Sequence, residues 1–236
     1  MATPTETAEG FFEATSPFGA IAGFEPQDGG GETTTKDRAS ALGADGDEFR
    51  HVDHNEQKTV SATYIPDGTV TTNFTIPAAG SLLNGYVVDS VSLAYSQEFP
   101  VLTLNGHKRT KVVTGAYANM RTYSPTIDLP YVVLGVPDQI GPVKCEGARS
   151  ATYELTCNHV PEIGGEDYLV GADNHDGTET LNVESVCALT IDSTFEDKDE
   201  WTDTSKAKNK SNSAATVNQM TLVRHLSHDV ASGSGS

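Results

Sequence analysis

The 236-residue sequence predicts an all-β protein, an antiparallel β-sandwich or barrel with long loops and an extended N-terminal arm. Three observations lead there. From Thr59 onward apolar residues recur at every second position. The alternating runs are rich in Val, Ile, Thr, Tyr and Phe and are bounded by Gly, Pro and Asp. No segment sustains a helical apolar stripe beyond about two turns.

The elements follow in order. Residues 1–57 are rich in Gly, Thr, Ala and acids, a composition that cannot offset chain entropy by burial. Phe11, Phe12, Phe18, Ile21 and Phe24 nevertheless cluster there. Either this arm docks on a neighbouring copy, or it lies on its own domain, or it is disordered. A single domain is expected over 58–230, and a flexible tail over 231–236. "TVSATY" alternates Val60, Ala62 and Tyr64, "IPDG" is a turn, and "TVTTNFTI" reads as the next strand. "YVVDSVSLAY" (86–95) and 99–106 read as a hairpin.

Residues 107–147 read as a long loop holding one short strand, "YVVLGV". "ARSATYELTCNHV", "TLNVESVCALTID" and "TVNQMTLVRHL" are strands, and a polar loop fills the space before the last. Roughly seven to nine strands result. Weak helical patterns occur at 37–45 and 115–123.

Composition narrows function. The formal net charge is -18, which argues against binding nucleic acid through phosphates. Residues 146–203 carry 15 acids and 2 bases, whereas 204–236 carry 1 acid and 4 bases. Such segregation suits head-to-tail contact between copies, although solvated loops would produce the same pattern. No run of about 18 apolar residues marks a membrane span, and the acidic N-terminus lacks the features of a secretory signal. Cys145, Cys157 and Cys187 form no disulfide framework, and Cys157 and Cys187 occupy apolar positions of alternating runs. A reducing compartment at synthesis follows.

Candidate chemistry is sparse. "GADNHDGTETLNVESV" gathers Asp173, Asn174, Asp176 and Glu179 around Gly177. In an EF-hand register Ala172 and Val183 would fill the first and twelfth positions, which need carboxylates. Asp176-Gly177 reads instead as a hairpin turn, with a calcium site built from Asp173, Asp176 and Glu179 as the alternative. His51 and His54 flank Asp53. Cys157 and His159 share a strand face, but a zinc site would need two more ligands from afar, such as His107 or Cys187. No nucleophile elbow, zincin or P-loop pattern occurs. No catalytic residue, metal or cofactor is therefore expected. Trp201, alone in a charged loop, either anchors an interface or folds back on the sheet.

At "SVSLAYSQEFPVLTLNGHKR", "ATYELTCNHVPE" with "GADNHDGTETLNVES", and "VNQMTLVRHL", the chain resembles β-rich structural proteins of tailed bacteriophages and prophages. The resemblance spans about residues 59–226 and implies a non-enzymatic virion component made in the host cytoplasm. Its partners would be copies of itself and other virion proteins, without specific nucleic-acid or membrane binding. Within that class a tail tube subunit is expected, its lumen lined by the acidic block 146–203 to repel phosphate. The alternative is a surface binding module, whether a capsid decoration or a receptor- or carbohydrate-binding sandwich. Phe11, Phe12, Phe18, Phe24, Trp201, Lys206, Lys208 and Lys210 are the interface candidates, the lysines meeting acids of an adjacent subunit.

Overall fold

The computed structural model describes residues 16–27, 30–42, 48–109, 122–158, 176–211 and 214–226, with backbone alone described at 37–42, 48–55, 109, 158, 176, 209–211 and 214–216. The architecture is all-β and sandwich-like, and the sheet does not close into a barrel. The strands are β1 (Phe24–Pro26), β2 (Gly31–Leu42), β3 (Glu48–Pro66), β4 (Leu82–Leu83), β5 (Tyr86–Tyr95) and β6 (Val101–Arg109). They continue as β7 (Gln139–Ile140), β8 (Val143–Lys144), β9 (Ala148–Asn158), β10 (Asp176–Ser185), β11 (Thr190–Ile191), β12 (Thr202–Ser211) and β13 (Ala214–Leu226).

One large antiparallel sheet runs β1-β3-β6-β5-β9-β10-β13-β12, with β2 also on β3 and β4 on β5. A small sheet joins β11, β8 and β7. One row of register partners crosses the large sheet: Tyr64, Leu102, Leu93, Tyr153, Leu181, Leu222 and Asp203. The first six are fully buried. Each such side chain contributes roughly 1.5–3 kcal/mol of transfer free energy. Because the strand period is two, a one-residue slip anywhere would turn these residues to water, so the row fixes the register.

The second layer is mostly connection rather than strand. Phe74, Ile76, Ala79, Ile127, Leu129, Ile140, Val143, Cys145 and Trp201 belong to the same core cluster as the row. Their backbones are satisfied by isolated contacts, such as Phe74 N–H to Leu129 C=O at 2.7 Å and Tyr131 N–H to Thr72 C=O at 2.7 Å. "TVTTNFTI" is thus extended but joins only the bridge Asn73–Pro130, and "YVVLGV" forms no strand. Pro130 and Pro137 interrupt donors there, and Val133 and Leu134 are exposed.

Several expectations need correcting. The boundary at residue 57 falls inside β3, which pairs with β6 from Gln57 to Tyr64. Phe18, Ile21 and Phe24 are core residues of their own domain, and Phe24 stacks on Phe74 at 5.2 Å. The helical pattern at 37–45 gives way to β2 through residue 42, because pairing with β3 outweighs weak local propensity. Residues 115–121 of the other pattern lie outside the described residues. The polar loop before the last strand contains β12, hydrogen-bonded to β13 along most of its length. Strand β10 ends at Ser185, so Cys187 escapes the alternation and is exposed, whereas Cys157 is buried.

Two glycines act as seats for rings. A Cβ on Gly106 would lie 2.9 Å from the Phe18 ring and 2.2 Å from the Val87 carbonyl oxygen. A Cβ on Gly177 would lie 2.6 Å from the Tyr123 ring. Gly177 therefore serves packing within β10, opposite Cys157, and Asp176-Gly177 is paired strand rather than the expected hairpin turn into "TETLNVESV". A turn of that chemistry does occur at Asn84-Gly85, where both residues have positive φ between β4 and β5.

The burial of the arm has a direct test. Phe24→Ala is expected to destabilise the protein by about 3 kcal/mol. Urea unfolding measures this, and a loss below about 0.5 kcal/mol, the usual range for surface changes, would place residues 16–26 outside the cooperative core.

Candidate functional site

The two faces of the large sheet differ in chemistry. The core face carries the buried row. The opposite face presents Thr59, Ser61 and Thr63 of β3, Thr103 and Asn105 of β6, and Ser90 and Ser92 of β5. It continues through Thr152, Glu154 and Thr156 of β9, Thr180, Asn182 and Glu184 of β10, Gln219 and Thr221 of β13, and Ser205 of β12. All of these are half-buried or exposed, and among the described residues no second layer covers them, whereas His107 and Val87, level with Thr59 at one end of the face, are buried. Across these positions the only charges are the carboxylates of Glu154 and Glu184, and no lysine or arginine stands among them. The hydroxyls and amides pair with one another, as in Thr221 Oγ1 to Asn182 Oδ1 at 2.7 Å and Asn105 Nδ2 to Ser90 Oγ at 3.0 Å.

Described cations lie on the other side of the strands or in loops. Lys58 meets Glu32 at 2.6 Å, Lys206 pairs with Asp203, and Arg224 reaches Glu200 and Asp197. Of the acids in 146–203 whose side chains are described, Glu154 and Glu184 stand on the open face, and Glu179 and Asp192 are structural. Acids of 159–175 lie outside the described residues.

Glu179 is the key to how the second layer is held. It is fully buried on β10 and accepts three hydrogen bonds: from Thr126 N–H at 2.7 Å, Thr126 Oγ1–H at 2.5 Å and the Tyr153 hydroxyl at 2.6 Å. Arg224 Nη1 donates to Thr126 Oγ1 at 2.8 Å, closing the network. Burial, then the Glu179 charge, pushes the Tyr153 phenol far above its ordinary value. Burial likewise raises Tyr95, whose hydroxyl donates to the Pro130 carbonyl at 3.0 Å. Glu179 is thus a tether for residues 122–130, which corrects its role as a calcium candidate. Asp173 and the Asp176 side chain lie outside the description, and among the described residues no group of three or more His, Cys, Asp or Glu could share an ion.

A similar anchor holds the small sheet. Asp192 accepts from Thr194 N–H at 3.0 Å and Thr194 Oγ1–H at 2.8 Å, with Lys144 and Gln139 beside it, and its carboxyl falls to about 2. Burial and the Asp138 charge push the Cys145 thiol up to about 11, while it donates to the Pro137 carbonyl at 3.0 Å. This is a packed, unreactive thiol.

The remaining candidates separate. Phe18 and Phe24 are core, and Phe11 and Phe12 lie outside the described residues. Trp201 folds back into the core with its indole Nε1 unpartnered, at a cost of about 1–3 kcal/mol. Lys206 and Lys208 are exposed on β12, and Lys210 lies on the same strand. His107 pairs through Nδ1 with Asp89 at 2.8 Å. Cys157 and Cys187 sit at opposite ends of β10, so they cannot share an ion, and His51, His54 and His159 lack a side-chain description.

One cavity of about 550 Å³ opens between residues 125–130, 139–141 and 195–197. Asp128, Glu196 and Asp197 line it without a histidine, cysteine, lysine or arginine, and Asp197 also faces Arg224 at 3.6 Å. No nucleophile and base converge there. Among the described residues no helix is long and apolar enough to cross a membrane. No family model matches the sequence, and no curated protein matches it.

Glu179→Ala would strand the Tyr153 hydroxyl in the core and release Thr126, and a loss of about 1–3 kcal/mol is expected. An unfolding experiment with no measurable loss would refute the tether. High pH supplies a second measurement. The folded pKa of Tyr153 and Tyr95 is raised above the ordinary 10.0, so the unfolded chain loses these protons first. Their contribution is whole below pH 10 and is lost as pH rises above it, by up to about 1.4 kcal/mol per pH unit for each tyrosine. Tyr95→Phe should flatten that decline in a pH series of unfolding curves; an unchanged slope contradicts the assignment.

Proposed function

We propose that this chain is a non-enzymatic structural protein that self-assembles into a wall around a passage, with the tail tube subunit of a phage-like virion as its specific form. The observation that carries this reading is the open sheet face, spread over seven strands with hydroxyls, amides and two carboxylates but no described cation. A solvated sheet face has no need to exclude lysine and arginine, and the described side chains of Lys58, Lys206 and Arg224 stand on the opposite side. A face along which a polyanion must slide does need to exclude them, because each cation would bind phosphate and release counterions.

The resemblance of the strand sequences to β-rich virion proteins points the same way. Binding of a compact ligand is supported less. The hollow on the open face, about 300 Å³ between Ser150, Thr152, Asn182, Glu184 and Gln219, is mainly polar, whereas ligand pockets are mainly apolar with a few polar groups.

Light scattering and negative-stain micrographs of the purified protein test the proposal. Rings or tubes with an axial hole are expected. A monomer at every concentration up to about 1 mM, or a monomer that selects a glycan from an array, overturns it.

A further inference from the structure

The second layer holds a cavity that neither the open face nor the proposed passage uses. It lies between residues 125–130, 139–141 and 195–197 and measures about 550 Å³, within the range of small-molecule pockets. Its apolar part is built by Pro125, Ile127, Pro130 and Phe195, of which Ile127 is buried and the others are half-buried. Such side chains can cover a short aliphatic chain and remove it from water. Its charged part is carboxylate alone. Asp128 comes from one segment, and Glu196 and Asp197 come from another.

The protein does not balance this charge. Residues 125–130 and 195–200 together hold five carboxylates, Asp128, Glu196, Asp197, Asp199 and Glu200, and one lysine, Lys198. Arg224 enters from β13. It donates to Thr126 Oγ1 at 2.8 Å, reaches Asp197 at 3.6 Å and pairs with Glu200. Lys198 lies 3.7 Å from Asp199. Among the described residues no cation pairs with Asp128 or Glu196. Like charges on two connections that share no described ladder push those connections apart, and Arg224 offsets only part of this.

Geometry constrains what could neutralise the rest. A compact divalent ion needs several oxygens around one centre. Among the described residues no three His, Cys, Asp or Glu side chains could share an ion. An anion would meet only carboxylates. A single ammonium group would answer one segment and leave the other. A cation charged at both ends with an alkyl chain between them answers both, its ends on carboxylates and its middle against Ile127 and Phe195.

We propose that this cavity is a binding site for an aliphatic diammonium ion, such as a short polyamine. Asp128 takes one ammonium group, and Glu196 with Asp197 takes the other. The bound ion ties residues 125–130 to 195–197 and adds to the anchor that Glu179 makes through Thr126. The site lies within one subunit and holds whether or not copies assemble.

Calorimetric titration of the full chain at fixed ionic strength tests this, since salt screens exposed charges. 1,4-Diaminobutane and spermidine are expected to bind saturably and to raise the melting temperature as they fill the site. Butylamine and magnesium should bind about tenfold more weakly or worse, the loss that one missing charged contact gives. Asp128→Asn combined with Glu196→Gln changes two exposed positions and should also weaken spermidine by about tenfold. Glu98→Gln combined with Glu146→Gln removes the same charge from exposed positions outside the cavity lining, and should leave the affinity unchanged. Equal weakening by the two pairs overturns the site, because it reduces binding to general attraction by a chain of net charge -18. Butylamine or magnesium binding as tightly as the diamines overturns the two-ended ligand. A trilysine peptide that binds where both free diamines fail makes the occupant a basic protein and overturns the proposal as well, as does the absence of saturable diamine binding.

Discussion

The buried row from Tyr64 through Leu102, Leu93, Tyr153 and Leu181 to Leu222 is the constraint on which the rest of the structure depends. It ties six strands to one register, and register decides which side chains face the core and which face out. The hydroxylic open face is the other half of the same alternation. Its chemistry could not be held in one plane unless every strand were locked at the same phase.

The second layer depends on polar anchors because it has few ladders of its own. Residues 122–147 and 186–201 hold only the short strands β7, β8 and β11. Buried carboxylates do there what a ladder does elsewhere. Glu179 gathers Thr126 and Tyr153 from two segments, and Asp192 gathers Thr194, Lys144 and Gln139. A buried carboxylate is tolerable only when its lone pairs are met, and both are. The acids that made this region look like a charged surface in the sequence are in part its internal fastenings.

What was legible in the sequence follows from these two regimes. Strands β3, β5, β6, β9, β10 and β13 each put one face in the core, so their period of two was visible in Val60, Ala62 and Tyr64 or in Ala151, Tyr153 and Leu155. Edge strands β2 and β12 have no apolar face to reveal them, and their pairing is a tertiary fact. Phe74 and Ile76 alternate correctly, yet burial alone does not make a strand when neighbouring backbone bonds go to a single bridge. Glu179 read as a ligand because sequence shows a carboxylate near others, and only the fold shows its three donors. The Asn84-Gly85 turn was readable from its dipeptide, whereas Gly177 as the seat of Tyr123 was not.

Edges and open face meet in one physical requirement. A sheet with one buried face leaves two problems: an uncovered face and unpaired rims. Among the described residues this chain keeps the uncovered face wet and free of lysine and arginine side chains, and its outer strands β2 and β12 run in opposite directions. A monomer would be served better by short rims, since long unpaired ones invite aggregation. The rims here are strands of 12 and 10 residues, and the charged side chains on both are the kind of guard that long rims require. The open face, whose described side chains include no lysine or arginine, is the surface that the proposed assembly would turn toward its passage.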